Sequence, residues 1–180
     1  MKSMLTKSSN MRRTMMTNLI LAFALMSMLQ SCGVYSFTGA SIPAEARTIS
    51  VDNFPNNALL IEPTLSNEIT TALRDKFMNQ TNLRMVEMNG DLAFEGEITD
   101  FKTEPVAIQA DQTAAFNRLS ITVNVRFYNK FEEDKSFETR FTQYDEYPST
   151  QDFNAVKQTL ISNIVDMLIE DIFNRAVVNW

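Results

Sequence analysis

The chain has 180 residues, of which 44% are apolar, enough for one domain with a sizeable core. It holds no histidine and a single cysteine, which excludes a Ser-His-Asp triad, a Cys-His dyad, a histidine or multi-cysteine zinc site and an internal disulfide. The formal net charge of −6 averages two unlike pieces: residues 1–31 carry Lys2, Lys7, Arg12 and Arg13 with no acid, and the remainder sets 12 basic residues against 22 acids, a balance of −10. That acidic remainder argues against general nucleic-acid binding, which needs a basic surface.

Residues 1–31 read as a secretory signal. The four basic residues form a positive n-region, and Leu19 to Leu29 (LILAFALMSML) forms an apolar stretch. Eleven residues rise only about 16 Å as a helix, roughly half of a ~30 Å hydrocarbon core, so the stretch is too short to span a membrane. Met11, directly before Arg12-Arg13, is an alternative start to Met1. Leu29-Gln30-Ser31-Cys32 resembles a bacterial lipobox, with an apolar residue at −3, a small one at −1 and then the cysteine. The resemblance implies diacylglycerol on the Cys32 thiol, cleavage between Ser31 and Cys32, and a further acyl chain on the new amino terminus. The alternative is a free cysteine buried behind a core helix. Two or more acyl chains anchor stably where one holds only marginally. No other cofactor is expected. Gly33 stands where an inner-membrane retention aspartate would, and no acidic surface-export cluster follows Cys32. The expected location is therefore the periplasmic side of the outer membrane.

The expected domain limits are a signal peptide at 1–31, an acylated tether at 32–46 and a single α+β domain at 47–180. Ile49 and Val51 alternate with Ser50 and Asp52 as a first strand, broken by Asn53-Phe54-Pro55-Asn56-Asn57. Pro63 and Thr64 open an amphipathic helix, with Leu65, Ile69, Ala72, Leu73 and Phe77 on one side and Asn67, Thr71, Arg74 and Asp75 outward, ending near Gln80. Leu83, Met85 and Met88 form a short strand or strand-like linker. Leu92, Phe94 and Ile98 alternate with Glu95, Glu97 and Thr99 until Phe101 breaks the phase, which predicts a bulge near Asp100. Leu119, Ile121, Val123, Val125 and Phe127 mark a long half-buried strand, and Phe137, Thr139 and Phe141 mark its hairpin partner across the polar turn 129–136. Ser149 and Asp152 resemble a capping box for a last helix, whose stripe runs through Phe153, Val156, Leu160, Ile164, Leu168 and Ile172 and is widened by Ile161, Val165, Phe173 and Val177. The order β-α-β-β-β-α predicts a mostly antiparallel sheet of about four strands with two helices packed on one face.

These residues resemble a known family. Cys32-Gly33-Val34-Tyr35-Ser36-Phe37-Thr38-Gly39, after the lipobox, is similar to the opening of the lipopolysaccharide-assembly lipoproteins, the LptE family. Ile49 to Asn56, Pro63 to Ser66, Asp91 to Ile98 and Asn117 to Val123 resemble its Bacteroidota branch. The resemblance implies a non-enzymatic role: plugging the outer-membrane β-barrel LptD, assisting its assembly and helping lipopolysaccharide reach the outer leaflet. A pilotin or other periplasm-facing envelope adaptor shares the same local features. A carboxylate-dependent envelope hydrolase using Glu95 and Glu97 is the remaining alternative.

Candidate contacts follow from chemistry. Arg118, Arg126 and Arg140 lie on the outward side of the hairpin, where cations could meet lipopolysaccharide phosphates or the barrel. A turn centred near Glu132-Glu133 puts Arg126 opposite Glu138 or Arg140, and pairing with Glu138 is the plainer role. Glu132-Glu133-Asp134 reads as a turn tip. Tyr35, Phe37, Phe54 and Trp180 are candidate docking aromatics, the alternative for each being packing under the first strand or burial at the terminus, and the tether residues 33–46 are candidates for barrel contact ahead of core. Replacing Cys32 by serine (Cys32→Ser) is expected to leave an unprocessed, unacylated precursor. Mass spectrometry that finds no lipid on wild-type Cys32 would refute the anchor.

Overall fold

The structure, a computed structural model, describes residues 42–106 and 115–177. The signal sequence, Cys32, Tyr35, Phe37 and Trp180 lie outside the described residues. The strands are β1 (Thr48–Val51), β2 (Arg84–Val86), β3 (Leu92–Pro105), β4 (Phe116–Asn129) and β5 (Phe137–Pro148), and the helices are α1 (Leu65–Gln80) and α2 (Phe153–Val177). The sheet has five strands in the order β2-β1-β3-β4-β5. The β3–β4 and β4–β5 ladders are antiparallel and long, whereas β1 pairs parallel with both β2 and β3 over three residues each. The fold is the expected α+β one. Its strand count is five, not about four, because Arg84–Val86 pairs with β1. The predicted bulge falls where the β3–β4 register shifts, between Ile98 and Asp100.

Strand alternation splits the sheet into a dry face and a wet face. Leu92, Phe94, Ile98 and Phe101 of β3 and Leu119, Ile121, Val123, Val125 and Phe127 of β4 are all buried beneath the helices. From α1 come Leu65, Ile69, Leu73 and Phe77, and from α2 the stripe Leu160 to Val177, including Ile169. Burying each such side chain is worth about 1.5–3 kcal/mol. A line of rings ties the layers together: Phe173 to Phe77 (5.0 Å between centroids), Phe77 to Phe94 (5.1 Å), Phe94 to Phe127 (4.7 Å) and Phe127 to Phe137 (5.3 Å).

The helix ends differ in part from expectation. Asp152 caps α2 alone, its Oδ1 accepting from the Asn154 N–H at 3.2 Å, and Ser149 instead donates its N–H to the Ala115 carbonyl at the end of the sheet. Thr64 precedes α1 without a side-chain cap, whereas Thr81 closes it by donating its hydroxyl to the Phe77 carbonyl at 2.7 Å. Arg74, expected to point outward, folds back onto the Val51 carbonyl (Nη2 at 2.6 Å) and holds the end of β1.

Two further expectations are corrected. Phe54 is fully buried and so is no docking aromatic: its N–H donates to Thr70 Oγ1 at 3.1 Å, and its ring lies against Gly96. Ala46 is buried and Ile42 packs against the core, so the folded part starts before residue 47 and these two are not tether.

The five-residue crossover from β2 to β3 passes over β1 with no helix in between. Asn89 takes the left-handed conformation (φ 56°), and the Gly90 N–H donates to Ser50 Oγ at 3.1 Å. A Cβ at Gly90 would strike the β1 backbone, so only glycine fits there. Gly96 is as constrained, because its Cβ would meet both the Asn124 carbonyl and the Phe54 ring. Gly96→Ala is expected to destabilise the fold by about 1–3 kcal/mol, read as a lower urea midpoint. A midpoint equal to wild type would mean that the ring and strand move aside without cost.

Candidate functional site

The face of the sheet opposite the helices is the candidate site. Strand register places Glu95, Glu97, Asp100, Lys102 and Glu104 of β3 beside Arg126, Asn124, Thr122, Ser120 and Arg118 of β4, and these beside Glu138, Arg140, Thr142, Tyr144 and Glu146 of β5. All three sequence-predicted arginines therefore share one surface, as their alternation implied. It holds six carboxylates and four cations.

Their surroundings differ. Of the two partners expected opposite Arg126, Glu138 and Arg140, the register selects Glu138, but the two charges are 3.9 Å apart. Its closest partner is Glu97 on the other neighbouring strand, 3.0 Å away, with Glu95 at 3.7 Å. Asn124 donates its amide to both Glu97 (2.9 Å) and Glu138 (2.8 Å), bridging the three strands. Hydrogen bonds from Asn124 and then Arg126 hold the Glu97 carboxyl below its ordinary range, and Glu97 in turn holds the Arg126 guanidinium more firmly protonated. Arg126 is thus consumed by structure.

Arg118 donates from Nη2 to Glu146 at 2.6 Å and lies over the Tyr144 ring at 3.9 Å. The Glu146 hydrogen bond is the main reason its charge is stabilised. Arg140 is exposed and, among the described residues, makes no ion pair within 4 Å. Arg118 and Arg140 line one concavity of about 510 Å³ with Lys102 and Tyr144 and with the carboxylates Asp100 and Glu104. The structure therefore brings two of the three arginines into a polar basin and withdraws the third.

Two further arrangements emerge only in the fold. Asp91 Oδ2 accepts from the Arg47 N–H (3.0 Å), the Thr48 N–H (3.1 Å) and the Thr48 hydroxyl (2.8 Å), which keeps its carboxyl below the usual range and clamps the start of β1 to β3. Only long-range pairing creates that contact. The run Leu59-Leu60-Ile61 is exposed, within the four consecutive apolar residues Ala58 to Ile61 that separate Asn57 from Glu62.

The model for the lipopolysaccharide-assembly family, LptE, matches residues 46–176. The chain belongs to the LptE family. No curated protein matches its sequence. Among solved structures, a minor lipoprotein from Acinetobacter baumannii is similar at 13% identity and a TM-score of 0.47, covering 72% of this chain and 91% of that one. Rare lipoprotein B from Shewanella oneidensis is similar at 13% identity and 0.44, covering 72% and 90%. The PelC dodecamer from Paraburkholderia phytofirmans is similar at 10% identity and 0.46, covering 77% and 94%. The assignment to LptE rests on the family match alone.

LptE is a family of lipopolysaccharide assembly, not of hydrolysis, and the acids agree with that. A general acid needs a carboxyl pushed upward, whereas Glu97 is pushed down and shares one guanidinium with Glu95. A group with a depressed folded-state value stabilises the fold above its unfolded value, about 4, and loses that contribution as the pH falls through the lower folded value. Glu97→Gln is expected to cost about 1 kcal/mol at neutral pH, and the gap to wild type in thermal midpoint should close progressively below about pH 4. A gap that stays constant across that range would show that the charge on Glu97 is not what stabilises the sheet.

Proposed function

We propose that this LptE-family chain is an outer-membrane lipoprotein, acylated on Cys32 and facing the periplasm, that plugs an LptD-like β-barrel and assists its assembly. The family match carries the reading, and the wet face of the sheet supports it. A large barrel has a polar lumen, and a sheet whose free face is hydrogen-bonding and nearly charge-balanced suits such a wall better than an apolar surface would. The helices complete the core on the other side, so the polar face is free for a partner. Within that face, Arg140 is the cation proposed to meet lipopolysaccharide phosphates, because it lines the basin and lacks a carboxylate partner among the described residues; Arg118 lines the same basin but is held by Glu146. Arg126 is left out of that role by its bond to Glu97.

Affinity purification of the tagged lipoprotein from native membranes tests the proposal. A co-purifying barrel of ~16–26 strands is the expected result. Recovery of a different envelope complex with no barrel would move the chain to the pilotin or adaptor reading, and recovery of the lipoprotein alone would reject the plug.

A further inference from the structure

Between β1 and α1, Leu59, Leu60 and Ile61 are 104%, 56% and 66% exposed. Every other exposed large apolar side chain among the described residues stands singly in the sequence. A loose loop would fold such residues inward, yet this one is built to hold them out. Asn56 spans its base, donating from Nδ2 to the Glu62 carbonyl at 3.1 Å and accepting at Oδ1 from the Ala58 N–H at 3.1 Å. The Asn57 N–H donates to the Ile98 carbonyl at 2.9 Å, Ala58 is buried, and Lys157 holds the Glu62 carboxylate at 2.7 Å. Both ends of the loop are thus fixed to the core, and three aliphatic side chains project from between them.

We propose that Leu59, Leu60 and Ile61 form a membrane-contacting tip that enters the lipid surface to which Cys32 anchors the chain. The inference rests on the anchor of the proposed function and adds a second, non-covalent contact. Two arguments favour lipid as the occupant. The polar lumen of a barrel gives three aliphatic side chains no apolar partner, whereas a bilayer interface does. The reach also allows it. The ten residues from Cys32 to Ile42 span at most about 35 Å. The loop base sits level with Ile98, six residues along β3 from Leu92, which pairs with Ile49 near the start of the domain; that is about 20 Å. The anchor is long enough for the tip to touch the same leaflet.

The test uses the full, acylated mature protein. Its only native cysteine is the acylated one, so Leu60→Cys adds a unique free thiol for an environment-sensitive fluorophore, with Gln80→Cys at the exposed end of α1 as control. In vesicles of phosphatidylethanolamine and phosphatidylglycerol, the probe at position 60 is expected to brighten several-fold and to be quenched by nitroxide-labelled acyl chains, and the probe at position 80 is not. Brightening that needs an added barrel fraction would overturn the lipid surface in favour of a protein pocket, and no brightening in either sample would overturn the tip altogether. Mass spectrometry of the same sample separates the two failures. An unacylated Cys32 removes the anchor and this proposal with it, whereas an acylated protein with an unquenched probe removes the tip alone.

Discussion

Two helices cover only one face of this sheet, and that asymmetry governs everything else. Strand side chains alternate, so β3 and β4 must each carry an apolar row for the helices and a polar row for what lies opposite. The apolar row is continuous and closes around the ring line from Phe173 to Phe137. Among the described residues the polar row has no covering layer, so its charges settle among themselves. They do so across three strands, with Asn124 and Arg126 joining Glu97 to Glu138, and with Arg118 held by Glu146.

The other structural demand is at β1. Placing β1 parallel between β2 and β3 with a connection of five residues forces the chain across the β1 backbone. Gly90 makes the crossing sterically allowed, and Asp91 binds the far side to Arg47 and Thr48. Close packing of the same kind recurs at Gly96, where the buried Phe54 ring fills the space a side chain would have used. The sheet is thereby locked at one edge by backbone contacts and at its centre by aromatic packing.

The division of labour extends to function. Carboxylates that alternation presents together look like an acid–base pair in the sequence, but in the fold they are ligands for a structural arginine, and the lowered proton affinity of Glu97 is the reverse of what acid catalysis needs. The basin around Arg118 and Arg140 and the aliphatic loop at Leu59–Ile61 are the surfaces left over after the fold has met its own requirements, and they differ in chemistry as a polar lumen differs from a lipid surface.

The sequence by itself determined the elements whose signals are local: the alternation of β4, the hairpin that brings Arg126 opposite Glu138 or Arg140, the bulge before Phe101 and the stripe of α2. It also carried the resemblance to the LptE family and the resemblance of residues 29–32 to a lipobox. Other features were decided only by the tertiary structure. Arg84–Val86 became a strand because β1 offered it a free edge. Phe54 and Ala46 were drawn into the core because the helices left room above Gly96 and at the start of β1. Arg126 chose Glu97 over Glu138 because β3, some thirty residues earlier, lies nearer its guanidinium than the hairpin partner does. Each of these depends on which distant segments meet, and pairing between distant segments leaves no trace in local periodicity.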